Sequence, residues 1–141
     1  MSAELTIQVI SDRTGELQET FKQTAIALLQ EAGGELAAHA AAHSRRDTGA
    51  FAGAWTHKVD AGALECQVGN PQQLAIWHEF GTGVFAVRGG RKTPWVYKSE
   101  RTGRFHRTQG QRPNPVLKNA FKALNGKIQA QAKARFSSLG R

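Results

Sequence analysis

The amino-acid sequence predicts an α+β fold: a small antiparallel sheet packed on a long N-terminal helix, with a long basic β-arm and a C-terminal helix. Three observations carry this reading. Apolar residues recur every three or four positions over residues 17–40 and again over 117–128, the period of a helix with one buried face. They recur every second position over residues 55–68, the period of strands. Charge also divides sharply, with a net −5 over residues 1–87 and a net +13 over 88–141.

The elements follow in order. Leu5, Ile7 and Val9 alternate with Thr6, Gln8 and Ile10, so residues 1–10 read as an N-terminal strand. Leu17, Phe21, Ala25, Leu28, Ala32, Leu36 and Ala40 form the stripe of a helix over 14–44, with Thr14 or Asp12 placed to cap it. Gly33 and Gly34 interrupt that stripe, and at roughly 1 kcal/mol each relative to alanine they predict a kink or a local loosening. Residues 51–69 read as a β-hairpin, Trp55, His57 and Val59 pairing with Leu64, Cys66 and Val68 across Asp60, Ala61 and Gly62. Leu74, Trp77 and Phe80 fall three apart after Pro71, which predicts one or two helical turns stopped at Gly81.

Residues 83–112 differ in kind. They hold five glycines, eight Lys or Arg and one Glu, with apolar pairs such as Phe85 and Val87 or Trp95 and Tyr97, the pattern of a glycine-broken basic β-arm. Pro113 and Pro115 then open a final helix over 113–136, with Leu117, Phe121, Leu124 and Ile128 as its apolar stripe and Lys118, Lys122, Lys127 and Lys133 outside it. About 22 helical residues would span roughly 33 Å.

A length of 141 residues with 40% hydrophobic content supports one domain over 1–141, without repeats or a dividing linker. A single cysteine, Cys66, has no intramolecular disulfide partner, which fits maturation in a reducing compartment and a small buried apolar role. No apolar run approaches the roughly 20 residues that cross a bilayer, and the start MSAELTIQV lacks the regions of a secretory signal. The expectation is a soluble chain with no membrane partner.

Reactive constellations are weak. His39 and His43 lie four apart on a helix, but no third ligand accompanies them, so no metal is expected. His78 and Glu79 can be written as an acid and base of a small hydrolase, yet a turn rich in Trp and Phe favours capping or pairing roles. Gly81 and Gly83 lack the following lysine and hydroxyl of a phosphate loop, and backbone geometry explains them better. No catalytic residue and no cofactor are expected. The arm is more informative: Arg88, Arg91, Lys92, Lys98, Arg101, Arg104 and Arg107 interleave with Trp95, Tyr97 and Phe105. That mixture suits either phosphates and bases, as in a non-specific nucleic-acid-binding protein, or an acidic surface on a neighbouring subunit.

Three segments together resemble a known family. They are Arg45, Arg46, Asp47, Thr48, Gly49, Ala50 and Phe51 after an alanine-rich helix; Ile76, Trp77, His78, Glu79, Phe80, Gly81, Thr82 and Gly83; and Thr108 to Pro115 leading into Leu117 to Phe121. Over roughly residues 35–125 this order is similar to the tailed-phage head-to-tail joining or tail-completion proteins typified by gene product ten of a lambdoid phage. The lambda tail-completion protein Z is a more distant relative. Val116 stands where many relatives place an aromatic residue, and the run from Glu4 to Ile10 is extra.

The resemblance implies a structural protein of the virion neck, present in the host cytoplasm before assembly, with no enzyme activity. It implies a homo-oligomeric ring, six-fold or twelve-fold, between a head-completion or connector protein and a tail-terminator protein, with genomic DNA passing through the lumen. By position, Asp47, Thr48 and Gly49 would end the long helix, and Glu79, Phe80, Gly81 and Thr82 would form the turn from which the arm departs. Pro115, Leu117, Ala120 and Phe121 would dock the last helix. A ring subunit also needs complementary head-to-tail surfaces, and an acidic half meeting a basic half would supply them.

Overall fold

The computed structural model describes residues 13–45 and 49–139. The N-terminal strand expected over residues 1–10, and Arg46, Asp47 and Thr48 of the first motif, lie outside the described residues.

The chain is α+β, built on a helix α1 of 30 residues, Thr14–His43. Buried Ala25, Leu28, Ala32, Leu36 and Ala40 reproduce the expected stripe, joined by Gly33 and Ala37. Its N-terminal end departs from expectation: Leu17 and Phe21 are about half exposed, and Phe21 packs its ring on Phe136, 4.8 Å between centroids. Arg13 holds the N-cap position without a side-chain cap bond, and Thr14 is the first helical residue; Asp12, the other expected cap, lies outside the described residues.

The two glycines do not interrupt α1. Gly33 is instead where the helix is approached most closely: a methyl group placed there would lie 2.5 Å from Cys66 Sγ and 2.9 Å from a His57 ring carbon. Those two side chains come from an antiparallel hairpin, β1 (Thr56–Asp60) and β2 (Glu65–Gly69), that lies across α1. Alternation holds within it: His57, Val59, Cys66 and Val68 are half-buried while Thr56, Lys58, Glu65 and Gln67 are exposed. Asp60 Oδ1 closes the turn by accepting the N–H groups of Gly62 (2.9 Å) and Ala63 (3.0 Å). Burial pushes the Cys66 thiol up from its ordinary pKa, in keeping with its place beneath the helix.

The hairpin is shorter than the 51–69 span expected, because Ala50–Gly53 form a helical turn, α2. Gly49 enters it with φ of 84°, and Phe51 and Ala52 are buried. The short helix α3 (Leu74–Phe80) ends at Gly81 as the spacing predicts.

The segment 83–112 is not one continuous β-arm. It begins with a 3₁₀ turn, Gly83–Phe85, and its strand content is confined to a second two-stranded sheet, β3 (Trp95–Lys98) and β4 (Phe105–Thr108). Its base is tied down, since the Thr82 and Val84 N–H groups donate to the Gln111 and Gln109 carbonyls at 2.9 and 3.0 Å.

Helix α4 (Val116–Ser137), 22 residues, runs antiparallel to α1. Asn114 reaches the His43 carbonyl, Lys127 pairs with Glu35 at 3.1 Å, and Arg135 pairs with Glu31. Its buried positions are Val116 and Ala120, with Leu124 and Ile128 half-buried; Leu117 is half-buried and Phe121 is 48% exposed. The buried edge thus lies one residue earlier than the expected stripe at its start. A small Ala120 against an α1 whose buried face is mostly alanine lets the helices approach closely, leaving the larger Leu117 and Phe121 at the margin. Among the described residues no helix is long and apolar enough to cross a membrane.

Candidate functional site

The motif segments converge on one junction at the end of α1. Ser44, buried just beyond the helix, donates from its hydroxyl to the Ala40 carbonyl (2.7 Å) and accepts the Trp55 indole N–H (2.7 Å). Trp55 meets Phe51 edge-on at 6.0 Å, and Phe51 stacks on the His78 ring at 4.6 Å. His78 Nδ1 lies 3.2 Å from the Gln111 amide nitrogen, and its carbonyl accepts the Asn114 N–H at 2.6 Å. Arg45 spans from the end of α1 to the Arg112 carbonyl at 3.2 Å. The links from Phe51 to His78, from His78 to Gln111 and Asn114, and from Arg45 to Arg112 join segments far apart in sequence, so these motif residues act as fasteners.

His78 and Glu79 do not face a common substrate position. Burial, aided by the positive charge of Arg45, pushes the His78 pKa below its ordinary value, and the ring is held between Phe51 and Gln111. Glu79 turns to α4, where its two oxygens accept the N–H groups of Leu117 (3.2 Å) and Lys118 (3.0 Å). α4 has no capping side chain of its own, since Pro115 occupies its N-cap. A carboxylate from α3 therefore satisfies two of its orphan donors and sits at the positive end of its dipole.

The glycines of the second motif have a steric reason. Gly81 and Gly83 have φ of 74° and 61°, and side chains there would run into Gln111, Pro113 and the Gln109 backbone. Two backbone strands cross at van der Waals distance there, with Thr82 Oγ1 accepting the Gln111 N–H at 2.9 Å. Phe80 does not enter the core; the Arg88 guanidinium covers its ring at 4.8 Å.

Beside the junction lies an open apolar groove of about 470 Å³, whose walls include Trp55, Ile76, Phe80, Leu117 and Phe121. Ile76 is 60% exposed, and Leu74, Trp77 and Phe121 are more than 40% exposed. Apolar clusters of this kind on a protein surface mark contact sites. Periodicity puts Leu117 and Phe121 in the apolar stripe of the last helix and the resemblance implies that they dock it; the exposure of Phe121 emerges only once α4 is set against α1.

Arg88 covers Phe80 and Arg112 covers Phe85 at 5.0 Å; the other six basic residues of the 83–112 segment fall in two groups. Arg91, covering Trp95 at 5.7 Å, and Lys92 precede β3. Lys98, Arg101, Arg104 and Arg107 lie on the hairpin and its turn, all exposed. Tyr97 meets His106 across the strands at 5.7 Å. His39 and His43 stack on one another at 4.2 Å, with His43 Nδ1 2.9 Å from the His39 carbonyl, and among the described residues no three metal-ligating side chains come together.

The acidic half is largely engaged within the chain. Glu31 and Glu35 pair with α4, Glu79 caps it, and Glu16 pairs with Arg13 at 3.0 Å. The acids of residues 13–45 and 49–87 outside these contacts are Glu19, Asp60 and Glu65, matched in number by Lys22, Arg45 and Lys58.

No curated protein and no solved structure matches the chain. The family described as Bacteriophage HK97-gp10, putative tail-component, matches residues 9–81, which takes in α1, α2, the first hairpin and α3 up to Gly81. The resembling segment from Thr108 to Phe121 lies beyond the match, yet it is laced to it through Glu79, His78 and Thr82. With just over half its length matched, this chain belongs to the HK97-gp10-like family of phage tail components.

Proposed function

We propose that this protein is a non-enzymatic subunit of the phage neck, a homo-oligomeric ring of six or twelve copies that joins the head connector to the tail. Its neighbours would be a head-completion or connector protein on one side and a tail-terminator protein on the other, with genomic DNA passing through the lumen. Before assembly it would reside in the host cytoplasm.

The observation that carries this reading is what the motif residues are used for. In a chain of the tail-component family, the motif residues His78 and Glu79 tie α3 to Phe51, Gln111 and the start of α4, while Ser44 and Trp55, outside the motifs, tie the end of α1 to the start of the first hairpin. Glu79 also lines the neighbouring groove, but its two oxygens are taken up by the Leu117 and Lys118 N–H groups. The neighbouring groove presents Ile76, Phe80 and Phe121 to the outside, as a subunit that buries surface on assembly requires.

Deleting the gene from the encoding phage and imaging lysates by negative stain tests the assignment. DNA-filled heads with unattached or malformed tails, rescued by the wild-type gene, are the expected result. Normal, infectious virions from the deletion would overturn it.

A further inference from the structure

We propose that the exposed face of the β3–β4 hairpin and its turn form a nucleic-acid contact that grips phosphates without reading sequence. The register places Val96 opposite Arg107 and Lys98 opposite Phe105, so these four side chains share one face of the ribbon. All four are exposed; Phe105 is 72% exposed and Val96 61%. The opposite face, with Trp95, Tyr97, His106 and Thr108, is half-buried at its Trp95 and Thr108 end. The free face therefore combines two cations with two apolar groups, and the turn adds Arg101 and Arg104 beside them.

The turn is well formed. The Ser99 N–H donates to the Arg104 carbonyl at 2.8 Å and the Gly103 N–H to the Ser99 carbonyl at 2.7 Å, with Gly103 at φ of 69°. Lys98 Nζ lies 6.0 Å from the centre of the Phe105 ring, which holds an ammonium over an aromatic surface. Residues 88–107 carry seven Lys or Arg against one Glu.

The choice between an acidic protein and a nucleic acid rests on the internal charge pairing. Glu31, Glu35 and Glu79 are already engaged with α4, and among the described residues of the acidic half Glu19, Asp60 and Glu65 are matched in number by Lys22, Arg45 and Lys58, so those residues of a second copy offer the hairpin no net negative surface. A polyanion does. Exposed cations interleaved with aromatics suit backbone phosphates and stacked bases. This inference does not depend on the neck assignment.

The test is fluorescence anisotropy of the purified full chain with a labelled duplex of about 20 base pairs of arbitrary sequence, across a salt series. Four phosphate contacts predict a loss of roughly 100-fold in affinity between about 50 and 200 mM salt. Replacing Lys98→Ala, Arg104→Ala and Arg107→Ala together lowers affinity at least about tenfold at low salt and reduces the salt slope by about 2 to 3. Lys122→Ala with Lys133→Ala, on the exposed side of α4, costs much less. Should the triple variant lose its circular-dichroism spectrum, the single Arg107→Glu variant provides the same comparison. Binding by the triple variant equal to wild type, no duplex binding at low salt, or poly-glutamate bound as tightly as DNA would each overturn the proposal; the last would assign the face to an acidic protein.

Discussion

The carboxylate of Glu79 caps a helix that begins 37 residues later in the chain, accepting the N–H of Leu117 at 3.2 Å and that of Lys118 at 3.0 Å. Both the short helix α3 and the long helix α4 depend on this contact for their relative placement. Glu79→Ala should lower stability by about 1 to 2 kcal/mol, the cost of a lost cap with its charge at a helix N-terminus. Glu79→Gln, which keeps an acceptor and loses the charge, should cost less. Urea midpoints of the two variants against wild type check the order; equal stability of all three would remove the cap from the account.

The adjacent glycines of α1 should respond in opposite directions. A methyl at Gly33 meets Cys66 and His57, and overpacking of that kind costs about 1 to 3 kcal/mol. At Gly34 the nearest heavy atom is 3.6 Å away, so Gly34→Ala should raise stability by up to about 1 kcal/mol through helix propensity. Adding Cys66→Ala to Gly33→Ala should recover part of the loss, a coupling that a double-mutant cycle on thermal midpoints reads directly.

Ser44 is a buried hydroxyl with two short contacts, to Ala40 and to Trp55. Ser44→Ala leaves the Trp55 indole N–H without its acceptor and should destabilise the fold by about 1 to 3 kcal/mol. Trp55→Phe, which removes the donor as well, should not add to that loss in the double variant. Additive losses would show that the two residues act separately.

Stability should fall as pH drops below about neutrality. The folded state holds the His78 pKa below its ordinary 6.5, by burial first and by Arg45 second, so the unfolded chain takes up the proton more readily. The His78 contribution is fully present above the unfolded value and is lost as pH falls through it toward the folded one. His78→Phe keeps the stack on Phe51 and removes the titration, so its urea midpoint should change less than that of wild type between about pH 7.5 and about pH 5.5, either side of the ordinary histidine pKa. An identical change would sink the assignment to His78.

Much of the local structure was legible because it depends on near neighbours. The three- and four-residue spacing over Ala25 to Ala40, the alternation of His57 with Val59 and of Cys66 with Val68, and the stop at Gly81 all follow from how side chains repeat around a helix or along a strand. Phe51 was read as strand because its flanking pattern continues the hairpin, and only its stack on His78 shows why a helical turn wins there. The motif cluster was visible as an order of residues, but not as a junction. Glu79 and Leu117 are linked by no local periodicity.

By itself the sequence determined the long helix and its buried stripe, the presence of hairpins and a closing helix, and the concentration of positive charge beyond residue 87, since each depends on composition or on short-range repeats. Only the tertiary structure decided what those charges and glycines do. Antiparallel packing of α1 and α4 pairs Glu31 and Glu35 with Arg135 and Lys127, and the crossing at Gly33 turns an apparent helix weakness into the contact point of the first hairpin. Which charges remain outward depends on which surfaces meet, and that is fixed by long-range packing rather than by any local pattern.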